Sequence, residues 1–328
     1  MAVNEGLAQA SNTLVYSTMI VYTGALGAYV TDLAARGRRR AEGPVAAQVP
    51  VAVGAGAAPD ADAVGADAVT APAVTGTRAA GIGVSLTALA FLLHAGGVLT
   101  RGLSVERVPW GNMYEFSVAG SVVVTGVFLA VLARRDVRYL GTFVVGPVLL
   151  TLGLAVAVFY TQAAQLVPAL HSFWLVIHVS VAFVASALYT LGFSTTVLQL
   201  VQERRELARA AGRAPRRGRF MDALPSSAAL DRSSYSLHVA AFPLWTFTVL
   251  AGAIWAESAW GRYWNWDPKE TWSFVIWVVY AGHLHARATR GWDGRKAAYF
   301  ALAGYACILM NFMVVNVFFV GKHSYGGL

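Results

Sequence analysis

Cysteine is nearly absent: the 328 residues include one, Cys307, and it sits within an apolar stretch. A single thiol excludes an internal disulfide and any CxxC or CxxCH pattern, so nothing is attached covalently through paired thiols of this chain. Charge is scarce as well, at 13% of residues against 57% hydrophobic. A soluble domain of this size has too little interior to hide that much apolar surface, which excludes water as the main solvent. The start lacks the basic segment of a cleavable signal peptide, and its apolar stretch runs too long for one. The charge that is present leans positive, with 25 Lys and Arg against 17 Asp and Glu. Because the basic residues lie in short loops between apolar segments, they speak of membrane topology rather than of nucleic acid.

Long apolar runs are what the chain has in quantity. Eight approach the roughly 20 residues that cross a bilayer as a helix; they lie at about 13–33, 79–99, 117–133, 139–160, 172–200, 236–256, 272–288 and 297–319. The expected fold is all-α, a polytopic transmembrane bundle of about eight spans. Residues 1–40 read as a first span with a basic flank, 41–78 as a disordered cytoplasmic linker and 79–328 as a seven-span domain. The linker is rich in Ala, Val, Gly and Pro and shows no helical apolar stripe. Lys and Arg counted on alternate sides number 20 on one and five on the other, the five being Arg101, Arg107, Arg262, Lys269 and Lys322. The basic loops are therefore expected in the cytoplasm and both termini outside.

One outward connection departs from this aliphatic background. Residues 260–272, WGRYWNWDPKETW, hold four tryptophans, a tyrosine, two acids and two bases. The plain alternative is an aromatic belt at the membrane interface. A belt, however, scatters its rings over many helix ends, whereas Trp260, Tyr263, Trp264, Trp266 and Trp272 crowd one connection beside Asp267, Lys269 and Glu270. Flat π surface with a few fixed polar groups suits a large planar ligand. Asp267 before Pro268 and Glu270 also predicts a helix start, with Asp267 as its cap.

Seven histidines are the second unusual feature, since ionisable groups within spans are costly. His178 is expected about two turns below the outer end of the fifth span, roughly 10 Å by helical rise. His323 follows the last span on the same side, so both stand near the aromatic connection. His171 shares the face of His178, seven residues earlier, but sits at the water interface. His283 and His285 point to nearly opposite sides of their helix, and only one can face the bundle interior. His94 and His238 read as packed or hydrogen-bonded helix residues. Two histidines beside an aromatic surface favour a six-coordinate heme iron over zinc, which takes four ligands and wants more His, Cys or carboxylate nearby.

At these residues the chain resembles the CcsA-type cytochrome c assembly proteins (CcsB in some bacteria), members of the heme-handling superfamily defined by a tryptophan-rich WWD segment. The likeness is carried by GAIWAESAWGRYWNWDPKETWSFVIWVVYAGHLHAR, LVPALHSFWLVIHVS, VPWGNMYEFS and NVFFVGKHSYGG. Together these run from about residue 107 to the C-terminus, with the WWD segment at 258–272. The resemblance implies that His178 and His323 are axial ligands of one heme, that Trp260, Trp264, Trp266 and Asp267 contact it, and that His285 serves a second heme site within the membrane. Arg262 and Lys269 are candidates for pairing with the heme propionates.

The implied activity is delivery and attachment of heme to apocytochrome c at a CxxCH segment, on the outer face of a bacterial plasma membrane. The chain would act as one subunit of a cytochrome c synthase with a ResB/CcsB-type membrane partner, holding heme b non-covalently in transit. Two other readings are a heme exporter or chaperone without attachment activity, and a b-type cytochrome subunit for electron transfer. No side chain is expected to act as a nucleophile.

Overall fold

The computed structural model describes residues 3–41, 77–165, 172–213 and 219–323. The linker expectation for 41–78 falls almost wholly outside the described residues. Those described form helices and connections, with no strand among them. In chain order they are α1 (Glu5–Ala41), α2 (Arg78–Ser104), α3 (Met113–Leu132), α4 (Gly141–Ala157), α5 (Phe173–Ala210), α6 (Ser227–Trp260), α7 (Pro268–Arg290), α8 (Gly294–Leu309) and the short α9 (Asn316–Phe318). Short 3-10 turns precede α4 and α6, and a π-helical turn, Met310–Val315, joins α8 to α9.

Helix starts follow local chemistry. Thr77, Asn112, Ser172 and Ser226 each turn a side-chain oxygen to an amide of the first turn of α2, α3, α5 and α6. The start of α7 is the predicted one: Asp267 caps it, Pro268 occupies the first position, and Glu270 returns a bond to the Asp267 amide at 3.2 Å. Gly261 ends α6 at φ 73°, a left-handed conformation that favours glycine. The chain therefore turns sharply into the aromatic connection.

Among the described residues, seven segments are long and apolar enough to cross a membrane, and they match seven of the eight expected runs. The exception is α7, whose composition is too polar to qualify. Its 23 residues nevertheless cover about 34 Å at 1.5 Å each. It starts beside His323 and ends beside Asp231 near the start of α6, so it runs the length of the bundle and makes an eighth pass. This multi-pass membrane protein packs as a bundle in which α1 pairs with α2, α5 with α6, α3 with α4, and α8 with both α5 and α7.

Small residues set the close contacts, as expected where lipid offers no hydrophobic drive to associate. A Cβ on Gly141 would come within 2.5 Å of the Tyr29 ring, and one on Gly304 within 2.8 Å of Tyr280. At one end of the bundle, buried Glu115 accepts from Arg101 Nε at 3.0 Å and from Arg107 at 2.7 Å, and also from the Gly111 amide at 2.9 Å. Arg101 and Arg107 in turn donate to the carbonyls of Thr161 and Ala164. Two of the five basic residues counted on this side thus tie the segment leading toward α5 to the start of α3. A buried carboxylate needs such partners.

Candidate functional site

The site is built at the end of the bundle where α5 begins and α6 ends. His178 is the sixth residue of α5 and faces α6. Space for it comes from Gly252, where a Cβ would lie 2.6 Å from His178 Cε1. One turn earlier on α6, the Thr248 carbonyl stands 2.8 Å from His178 Nδ1. A carbonyl only accepts, so Nδ1 carries the proton and donates, which leaves the Nε2 lone pair free.

His323 arrives from the other end of the sequence with the same arrangement. Its Nδ1 lies 2.8 Å from Asp267 Oδ2, and the carboxylate also accepts from the Lys322 amide at 2.6 Å and the Lys269 amide at 3.3 Å. Burial alone would raise the Asp267 pKa, but the hydrogen bonds from His323 and from the Lys322 amide hold it below the usual carboxylate range. Asp267 therefore does two jobs, capping α7 and fixing the ring of His323. A second-shell acceptor on Nδ1 is how proteins orient an imidazole for a metal.

Both histidines line the same two cavities, of about 430 and 120 Å³. Between them stands Trp255, 2% exposed, its ring 6.1 Å from that of His178 and 5.5 Å from that of His323. Phe116, Val179 and Lys269 also face both cavities. Two free imidazole nitrogens over an apolar, ring-lined space fit the iron and the macrocycle of a heme.

The aromatic connection does not form one flat platform. Tyr263 and Trp264 line the larger cavity. Trp260 packs edge-on against His323 at 4.9 Å and against Trp255 at 4.8 Å. Trp266 is 68% exposed, with φ 55°, and meets Trp264 perpendicularly. Arg262 is exposed and bonded to Asn265, while Lys269 turns inward to the Asn311 carbonyl and Asn316 Oδ1. His285 is exposed at the far end of α7, and it is His283 that is buried. His171 lies outside the described residues. Sequence reasoning gave no role to Trp255, Gly252 or Thr248, although their spacing of four and three places them on one face of α6.

The model of the cytochrome C assembly protein family matches residues 110–323, which include all these site residues. A cytochrome c biogenesis protein CcsA from Synechococcus elongatus is 33% identical over 286 residues, covering 75% of this chain and 87% of the relative. The Guillardia theta CcsA is 32% identical over 266 residues, covering 75% and 86%, and the Porphyra purpurea CcsA 30% identical over 276 residues, covering 74% and 86%. Among solved structures, the cytochrome c heme lyase CcmF superposes with a TM-score of 0.59 at 15% identity, covering 95% of this chain and 47% of that one. At that identity the likeness concerns the fold, and this chain spans about half of the CcmF chain. With the family model over most of its length and CcsA proteins of 33% identity covered to 87% of their length, the chain belongs to the cytochrome c assembly protein family and has its role in cytochrome c maturation.

Proposed function

We propose that the chain presents heme to apocytochrome c on the outer side of the plasma membrane and promotes its attachment, as the integral subunit of a two-component synthase. The observation that carries the reading is the matched pair of imidazoles: His178 and His323 each have Nδ1 engaged and Nε2 free beside one cavity. In this reading the two Nε2 atoms hold the iron, Trp255, Trp260 and Trp264 contact the macrocycle, and Asp267 acts through His323. The side of the membrane follows from the charge count, because the site lies at the end of the bundle with few basic residues.

Attachment forms two thioethers. Each CxxCH thiol adds across a heme vinyl, sulfur bonding one carbon and the thiol proton ending on the other, with no leaving group and no net redox change. What the chain supplies is orientation and proximity. The apocytochrome's own histidine then replaces one of the two protein imidazoles. A ResB/CcsB-type partner completes the enzyme, and Arg262 and exposed His285 are available to contacts beyond this chain.

The test is to purify the chain with its partner and supply heme, reductant and a CxxCH peptide. A thioether product with the parent, and none with His323→Gly, supports the reading. Heme retained in both forms without product in either leaves a heme carrier, the chaperone alternative.

A further inference from the structure

The larger cavity does not stop at the histidines. It runs down the bundle between α4 and α8, past Thr151 on α4 and Thr190 on α5, to Tyr305 on α8. Leu150 and Leu309, which line it from α4 and α8, are exposed on the outside of the bundle, at 74% and 44%. The packing explains the opening: α4 is held by α3 and α1, and α8 by α5 and α7, so the two walls belong to different helix pairs. Tyr263 and Trp264 line its outer end.

Both walls carry a break in their hydrogen-bond ladders. Pro147 lies inside α4, and α8 passes into the π-helical turn Met310–Val315 at the level of the cavity. A proline removes one ladder bond and a π turn misaligns several, so both walls bend more easily than a regular helix. The lining also holds polar atoms that lipid tails do not need. Ser117 Oγ, Thr248 Oγ1 and Asn311 Oδ1 are buried against the cavity without a hydrogen-bond partner among the described residues. Such groups fit a guest that is largely apolar yet carries polar substituents.

We infer that the cleft between α4 and α8 is a lateral entrance through which heme passes from the bilayer to His178 and His323. The inference rests on the heme reading of the site and adds the route. Heme itself is the occupant because the cleft is continuous with the two free imidazoles, and a flat amphipathic disc partitions into membranes.

The experiment blocks the cleft after folding. Thr151→Cys is made in a Cys307→Ser background, reconstituted in nanodiscs, and half the sample is alkylated with a bulky pyrene maleimide. Phosphatidylcholine vesicles loaded with hemin are then added and the Soret band is followed in time. The alkylated chain is expected to take up heme at least tenfold more slowly than its unlabelled half. Leu309→Cys, on the opposite wall, is expected to behave likewise, and Leu92→Cys on α2, exposed to lipid elsewhere, to show no change on labelling. Equal rates for labelled and unlabelled cleft variants overturn the entrance. If the unlabelled chain shows no uptake that His178→Gly and His323→Gly abolish, the heme reading itself falls and the entrance with it.

Discussion

Two pairs of histidines, one half-buried and one buried, occupy opposite halves of the bundle, and they are arranged differently. His178 and His323 each have one ring nitrogen bound to a fixed acceptor and the other free beside a cavity. His238 and His283 lie with ring centroids 5.3 Å apart, packed among Tyr189 and Tyr280, and among the described residues none of their four nitrogens makes a hydrogen bond of normal geometry. Neither lines the two cavities. The inner pair is the more deeply buried of the two, so burial does not mark a ligand. What distinguishes the outer pair is a tethered Nδ1 together with open space at Nε2.

The sharpest way to break the comparison is to remove a ring from the outer pair. His178→Gly or His323→Gly is expected to lose most of the bound heme, measured as pyridine hemochrome per protein, while the chain stays inserted. Imidazole in the buffer is expected to restore part of it. Full heme content in either variant would refute the ligand assignment.

A smaller effect is expected from filling the space that seats His178. Gly252→Ala puts a methyl where the imidazole lies, an overpacking that costs about 1–3 kcal/mol. It is expected to shift the Soret band or weaken heme retention, and an unchanged spectrum would show that the glycine is incidental.

Loosening the tether of His323 is the next step down. Asp267→Ala is expected to reduce heme affinity by roughly tenfold, in line with other second-shell losses, and Asp267→Asn by less because its amide oxygen still accepts. The pH dependence has a definite sign. Because the folded pKa of Asp267 is held low, its contribution is complete above the ordinary aspartate value of about 4 and is lost as pH falls through the lower folded value. The deficit in heme affinity of Asp267→Asn is therefore expected to be largest near neutral pH and to shrink as pH falls through that range, as followed by absorbance.

The smallest effect is expected from the inner pair. His283→Leu removes a buried polar group without partners and is expected to keep heme content and leave stability within about 1 kcal/mol of the parent or above it. Loss of heme on thermal or spectral assay would show that the inner histidines belong to the site after all.

Much of the fold was legible because its signals are local. Apolar run length marked eight spans, seven of which are apolar enough to cross a membrane, and Asp267, Pro268 and Glu270 marked the start of α7. The two outer histidines were legible only together with the aromatic connection. What was not legible comes from contacts far apart in sequence. Nothing local says that Asp267 reaches His323 across 56 positions, or that Arg101 and Arg107 answer Glu115 rather than the membrane. The choice between His283 and His285 for the interior depends on the rotation of α7, which packing against α6 and α8 decides. Trp255 was masked by its neighbours, since a tryptophan in a tryptophan-rich stretch carries no signal of its own.

The polar composition of α7 bears on how the protein is made. Lys269, Glu270, two histidines and two arginines lie along its 23 residues, and a segment of that kind gains little by leaving the translocon for lipid alone. Its partners appear on either side in the chain: α6 emerges before it and supplies Asp231 for Arg287, while the π turn after α8 and α9 emerge after it and supply Asn311 and Asn316 for Lys269. We expect insertion of α7 to wait for this later stretch, which would set the loop bearing Asp267 in place only when the last helix has been synthesised. On the proposed reading, the heme site would then be among the last parts of the protein to form, which would keep an incomplete chain from capturing a reactive cargo.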